Sequence, residues 1–240
     1  MGYLRRLSLA GSLLLLSATT ALAQTQRYPD SHYLVDLSTG HWCYDCTVKV
    51  IDEYKILSGY QDHTFRGDWT VSRYALAAAV ARTLSLLQQR EGLQAPSAPV
   101  GAERSAGVLP DHWAYPYVRK LRTENGLLDR LIEQGQFKGD KPLKRKELAY
   151  ALSELLGHLE KSRGKSFRPE RRQSQLAVDL DASSAYKPYI EQALNRYQFM
   201  NLYSDHTFRG EQIVTRYALS AALCRVFEFF ENPATLADKN

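Results

Sequence analysis

The chain has 240 residues and a formal net charge of +5, from 31 Lys+Arg against 26 Asp+Glu. So mild a surplus permits attraction to anionic polymers but does not mark a nucleic-acid binder. The length suffices for one or two domains with cores of their own.

Residues 1–23 read as a secretory signal peptide. Arg5 and Arg6 precede an apolar run from Leu7 to Leu16, and Ala21-Leu22-Ala23 offers a small-x-small cleavage site before Gln24. The run is too short to stay in a bilayer. No cysteine follows the cleavage site, so no lipid anchor is expected, and no later stretch reads as a transmembrane segment. Removal of the leader takes two arginines, leaving 29 Lys+Arg against 26 Asp+Glu, a net +3. Export also argues against nucleic acid as a partner.

Residues 30–87 form the first copy of a recurring unit. After Trp42, the residues Val48, Ile51, Lys55, Ile56 and Leu57 keep helical spacing. Ser58-Gly59-Tyr60 ends that helix, with Gly59 placed for the left-handed residue. A polar, aromatic loop runs to Gly67. Ser72 is a natural N-cap for a second helix from Arg73 to about Leu87, with Ala75, Leu76, Ala79 and Val80 on one face. Residues 88–107, rich in Pro, Ala, Gly and Ser, read as a flexible linker. The second copy, 108–160, sets Val118, Leu121, Leu127 and Leu128 on its first helix and Leu148, Ala151, Leu152 and Leu155 on its second. Residues 161–174 are a basic linker, read as a solvated face or as an extension of the helix before it. In the third copy, 175–232, the first helix carries Tyr189, Ala193, Leu194, Tyr197 and Met200. Thr215 caps the second, which turns Leu219, Ala222, Leu223 and Val226 inward. Residues 233–240 are a tail. Little sustained strand patterning is present, and an all-α fold of three helix–loop–helix units is predicted.

The repetition is explicit. Tyr60-Gln61-Asp62-His63-Thr64-Phe65-Arg66-Gly67 returns as Tyr203-Ser204-Asp205-His206-Thr207-Phe208-Arg209-Gly210. Arg73-Tyr74-Ala75-Leu76 returns as Arg216-Tyr217-Ala218-Leu219, and the two copies align without a gap from Val35/Val178 to Arg82/Arg225. Phe137-Lys138-Gly139 and Arg145-Lys146-Glu147-Leu148 make a weaker copy, placed almost midway between them. A near-regular period of this kind signals stacked or symmetric copies of one supersecondary unit, an architecture that commonly builds binding surfaces.

At these residues the chain resembles the S-layer homology family. Asp36 precedes His41-Trp42, and Asp111 precedes His112-Trp113-Ala114. Gly59-Tyr60, Asp62, Thr64 and Phe65 follow the family loop, and Ser72-Arg73 and Thr215-Arg216 stand at its Thr-Arg position. The resemblance covers nearly all of the mature chain. It implies a pseudo-threefold, three-pronged helical spindle whose grooves bind cell-wall glycans without catalysis: pyruvylated secondary wall polymers in many members, peptidoglycan in others. It also implies a location in the cell envelope, in the periplasm, cell wall or S-layer. The chain departs from the pattern at several points. Ser184-Ala185 replaces His-Trp, Leu202 stands where Gly59 does, and Glu133-Gln134-Gly135-Gln136-Phe137 replaces the middle loop. Ala75 and Ala218 replace the family glutamate that Glu147 keeps.

The expected glycan-binding residues are Arg73, Arg145, Arg216, Trp42, Trp113, Gly59, Asp62 and Asp205. A cation in the first turn of a helix opposes the helix dipole. An anion docked on free backbone N–H groups there, gripped by the guanidinium, would account for Arg73 and Arg216. The alternative is a clamp in which Asp62 and Asp205 hold the arginines. Trp42 and Trp113 suit sugar stacking, although a packing anchor is the commoner role at a helix start. Phe65, Phe137 and Phe208 read as core, and His63 and His206 as solvated loop residues.

Cys43 and Cys46 form a C-x-x-C read as a local disulfide or two free thiols, and Cys224 as a small buried side chain. No second C-x-x-C or histidine pair at ligand spacing accompanies them, so no metal and no cofactor is expected. Nor is a nucleophile–base arrangement or a distinctive carboxylate pair legible, which argues against an enzyme. Two functions remain: a non-catalytic wall-binding module, and a structural envelope subunit whose fold binds a protein partner.

Overall fold

The computed structural model describes residues 30–93, 107–167 and 174–232. The predicted signal peptide, most of both linkers and the tail lie outside the described residues. The described residues are mostly helical, with a small antiparallel hairpin in which β1 (Ile132–Glu133) pairs with β2 (Gln136–Phe137). No helix among the described residues is long and apolar enough to cross a membrane.

Each of the three sequence copies contributes a short helix and a long one. The short helices are α1 (Tyr44–Val48), α3 (Tyr115–Arg119) and α5 (Lys187–Glu191). Each runs directly into a five-residue π turn, Lys49–Glu53, Lys120–Glu124 and Gln192–Arg196. The wider i→i+5 ladder is visible in Tyr54 N–H donating to Lys49 O and Tyr197 N–H to Gln192 O. The left-handed residue that follows is Lys55 (φ 54°), Gly126 (φ 66°) or Gln198 (φ 56°), not Gly59 as expected. In the first copy the π turn closes on Tyr54 and the chain reverses at once at Lys55, four residues before Gly59.

The long helices are α2 (Arg73–Arg90), α4 (Arg145–Arg163) and α6 (Arg216–Glu231). Ser72 and Thr215 cap α2 and α6 as expected, each accepting from the third backbone N–H of its helix at 3.2 Å. Helix α2 runs a turn past Leu87, so the expected linker starts inside it. Helix α4 stops at Gly164, which takes the left-handed cap (φ 68°). Leu76, Val80 and Leu84 of α2, Leu148, Leu152 and Leu155 of α4, and Leu219, Leu223 and Phe227 of α6 are buried in a shared core. Phe65, Phe137 and Phe208 are buried beneath their loops as predicted.

The cysteine pairing differs from the local one considered above. Cys46 is bridged to Cys224, 178 residues away with Cα atoms 5.3 Å apart, and Cys43 is a buried free thiol. The reason is helical direction. Cys43 Sγ ends against the first turn of α6, at Tyr217 O (3.3 Å), whereas Cys46, on the next turn, reaches Cys224 in the middle of that helix. The bridge ties the first copy to the last.

Candidate functional site

The three long helices begin in a closed ring of backbone hydrogen bonds. Val71 N–H donates to Val214 O (3.0 Å), Val214 N–H to Leu143 O (2.8 Å) and Leu143 N–H to Val71 O (2.8 Å). The next donors leave the ring in the same sense. Arg73 and Tyr74 donate to Lys141 O and Gly139 O, Arg145 and Lys146 to Gln212 O and Gly210 O, and Arg216 and Tyr217 to Trp69 O and Gly67 O. The helix N-termini therefore hold no free N–H groups for an anion at these positions. That part of the expected mechanism is corrected: the neighbouring copy fills the place assigned to a ligand.

The arginine side chains follow their backbones into the next copy. Arg73 is buried and bound twice by Glu147, itself 2 % exposed, and by Glu133 at 2.7 Å. Burial alone would lower its pKa, but the two carboxylates hold it above the ordinary arginine value. Arg145 and Arg216 have no such partner. Arg145 donates to Phe208 O (2.9 Å) and Asn201 O (3.1 Å); Arg216 donates to Phe65 O and Ser58 O (both 2.8 Å). Neither forms an ion pair among the described residues, and burial pushes both guanidinium pKa values down. The difference traces to one residue type. Glu147 occupies the position that is Ala75 in the first copy and Ala218 in the third, so only Arg73 meets a glutamate.

Aromatic rings frame the two arginines that lack one. The Arg216 guanidinium lies 4.9 Å from the Tyr60 ring centre and 4.5 Å from that of Phe65; Arg145 lies 4.9 Å from both Tyr203 and Phe208. Each tyrosine carries a second guanidinium at 4.2 Å, Arg66 on Tyr60 and Arg209 on Tyr203. Asp62 and Asp205 bind these second arginines, at 2.6 and 2.7 Å, and not Arg73 or Arg216 as the clamp alternative had it. Their carboxyl pKa values are depressed by the Thr64 and Thr207 hydroxyls first and by Arg66 and Arg209 next. Each of these loops thus keeps one arginine neutralised and one without a carboxylate.

Trp42 and Trp113 are 70 % and 56 % exposed, which removes the packing-anchor reading. Beside them His41 stacks on Tyr217 at 4.0 Å, and His112 lies 4.3 Å from Tyr74. Tyr217 and Tyr74 lie over Gly67 and Gly139, where an added Cβ would fall 2.0 and 2.2 Å from ring carbon. Gly67 and Gly139 are needed for this close approach. Gly59 is buried next to Ser58, whose carbonyl receives Arg216. His63 and His206 are exposed, as expected.

One cavity of about 340 Å³ gathers residues from all three copies: Trp42 from the first, Arg145 from the second, and Tyr203, Ala218 and Arg225 from the third. The structure thus brings Trp42 and Arg145 together. Arg216 instead reaches from α6 into the Tyr60 loop, which carries Asp62, and Arg73 is taken up by Glu133 and Glu147. Arg225 was not singled out from sequence; it lies on the same helix as Arg216, and its only signal was the equivalent Arg82 in the first copy. A cavity with two guanidinium groups, an exposed indole and a tyrosine can hold a carboxylate beside a sugar ring.

No protein-family model matches the chain. Over 87 residues it is 38 % identical to the "Outer membrane protein SlpA" of Deinococcus radiodurans, an alignment that covers 32 % of this chain and 7 % of that protein. The chain thus matches less than a tenth of the length of this curated relative.

Proposed function

We propose that the chain is a non-catalytic cell-envelope protein that attaches non-covalently to peptidoglycan or to an anionic polymer associated with it. In this reading the three copies form a pseudo-threefold, three-pronged spindle of the S-layer homology type, held in the envelope after export. The closed ring at Val71, Leu143 and Val214 supports that arrangement. So does the cyclic insertion of Arg73, Arg145 and Arg216 into successive copies. The similarity to an outer membrane protein supports the location.

The observation that carries the binding reading is Arg145, a cation without an ion-pair partner among the described residues, set in one cavity with exposed Trp42. A desolvated guanidinium gains more from a carboxylate than a solvated one does. Co-sedimentation of the mature protein with purified wall sacculi tests it. Arg145→Ala and Trp42→Ala should release the protein to the supernatant, whereas Arg73→Ala, in protein that remains folded, should not. Wild type that stays in the supernatant overturns the reading. A structural subunit that binds a protein partner is favoured by exposed Val35, Leu176 and Val178; recovery of an envelope protein on immobilised wild type, with no sacculus binding, would establish it instead.

A further inference from the structure

The loop of each copy is covered by the residue that follows the arginine of a neighbouring copy. In the first copy the Tyr217 ring lies over Gly67, stacks on His41 at 4.0 Å and stands 5.5 Å from Phe65. In the second the Tyr74 ring lies over Gly139, with His112 at 4.3 Å and Phe137 at 5.7 Å. Both glycines are buried. In the third copy the equivalent residues are Lys146, Gly210 and Ser184. Lys146 Cβ stands 3.5 Å from where a Gly210 Cβ would fall, and Gly210 is only half-buried.

The backbone frame is unchanged. Lys146 N–H donates to Gly210 O at 3.0 Å, as Tyr217 N–H does to Gly67 O and Tyr74 N–H to Gly139 O. The Ser184 hydroxyl accepts from Tyr186 N–H at 3.3 Å, as His41 Nδ1 accepts from Cys43 N–H and His112 Nδ1 from Ala114 N–H. Two rings are thus exchanged for an alkyl stem and a hydroxyl. A cleft of about 430 Å³ lies there, lined by Lys146, Ser184, Phe208 and Gly210, within the range of ligand pockets, roughly 300–1,000 Å³. Tyr186, at the position of Cys43, turns edge-on to Tyr150 at 6.0 Å and does not line it. Leu180 does line it and is half-buried, whereas the equivalent Leu37 is buried in one apolar cluster with Tyr217 and Phe65.

Charge narrows the class of occupant. The carboxylates of the lining, Asp179, Asp181 and Glu211, outnumber its cations, Lys146 and Arg209, which argues against an anion. All five have partners already. Asp179 accepts from the Phe208 and Arg209 N–H groups, Asp181 from Ser183, and Glu211 from Lys144 and Lys146, while Arg209 pairs with Asp205. An uncharged ring remains: Phe208 and Leu180 offer it apolar contact, and Lys146 can meet its face. A phenol hydroxyl has a place too. Tyr217 donates to Asp36 O at 3.4 Å, and Asp179 holds the position of Asp36 in the third copy. Leu176 and Val178, just before Asp179 in the chain, are 78 % and 74 % exposed, and such apolar surface suits a polypeptide better than a free phenol. We propose that this cleft takes a tyrosine side chain presented by a partner polypeptide, which gives the third copy the packing that Tyr217 and Tyr74 give the other two. The proposal does not rest on wall binding at the Arg145 cavity and survives its failure.

The full mature chain, isotope-labelled, is titrated with acetyl-Gly-Tyr-Gly-amide, acetyl-Gly-Leu-Gly-amide and p-cresol, and its amide resonances are followed by NMR. The tyrosine peptide should shift the Gly210 and Ser184 amides saturably and bind about tenfold tighter than the leucine peptide. Lys146→Tyr places the ring within the chain itself, so it should abolish the shifts and raise Tm. Trp42→Ala, in the other cavity, should leave peptide binding intact. No shift at Gly210 and Ser184 means that water alone occupies the cleft, and the proposal fails. Equal binding of the leucine peptide refutes the ring, and p-cresol bound as tightly as the tyrosine peptide refutes the polypeptide. Undiminished binding in folded Lys146→Tyr places the ring elsewhere and also refutes it. Self-association of the wild type in sedimentation velocity, lost in Lys146→Tyr, would make the occupant a second copy of the chain and overturn the partner.

Discussion

Arg73→Ala tests whether the buried ion pair between α2 and α4 holds the first two copies together. Arg73 and Glu147 side chains are 6 % and 2 % exposed, and the guanidinium binds the carboxylate through both Nε and Nη2. Removing one member of a buried pair strands the other charge, at a cost of about 3–5 kcal/mol. For a chain of this size that corresponds to a fall in Tm of about 6–20 °C. Glu133, 38 % exposed, is left to Lys141 and adds little. Arg145→Ala provides the internal control. It removes two bonds to carbonyl oxygens and strands no carboxylate, so it should cost less. The double variant Arg73→Met/Glu147→Leu removes both charges and should recover most of the loss, since apolar replacement of a buried pair is often neutral or stabilising. Urea unfolding of the four proteins, read by far-UV circular dichroism, supplies the comparison. A cost below about 1 kcal/mol for Arg73→Ala, the range of exposed pairs, would mean that this pair does not hold α2 to α4, as would a double variant no better than the single one.

Four further results are expected. Non-reducing peptide mapping should yield one cross-link, Cys46 to Cys224, with Cys43 alkylated only after unfolding. Reduction should destabilise the chain by up to about 5 kcal/mol, the loop-closure entropy of a cross-link between residues 178 apart. Gly67→Ala and Gly139→Ala should each cost about 1–3 kcal/mol through collision with Tyr217 and Tyr74. Gly210→Ala should be within about 0.5 kcal/mol of wild type, because its nearest contact is Lys146 Cβ at 3.5 Å; equal costs at all three glycines, in thermal melts, would contradict the close approach. Finally, Lys55→Gly should stabilise by up to about 1 kcal/mol, since lysine there sits in the left-handed region (φ 54°) and glycine does so without penalty.

Much of the helical fold was legible because its signals are local. Ser72 and Thr215 precede apolar runs at helical spacing, and both cap helices starting where expected. The buried phenylalanines were legible too, as the one large apolar residue in each loop. The misses depend on neighbours in space. A π turn is too short to leave a periodic mark, so Gly59 drew the left-handed role that Lys55 fills. The C-x-x-C spacing drew attention to a local pair, while the true partner of Cys46 lay across the ring on α6.

The clearest lesson about the site concerns the arginines. All three stand at equivalent helix starts in the sequence and so read as equivalent. What separates them is the residue each meets in the next copy: Arg73 meets Glu147, Arg145 meets the copy that carries Ala218, and Arg216 the copy that carries Ala75. The substitution to alanine was visible from the start, but its effect falls on the arginine of another copy: Ala218 acts on Arg145 in the middle of the chain, and Ala75 on Arg216 near its end. A glutamate at 218 would stand on the wall of the Arg145 cavity, as Glu147 stands against Arg73. Ala218→Glu should therefore pair with Arg145 and compete with any carboxylate ligand for it. Loss of sacculus binding in Ala218→Glu together with a gain in thermal stability would tie the two properties to the same guanidinium; binding unchanged in a variant with raised stability would separate Arg145 from the ligand.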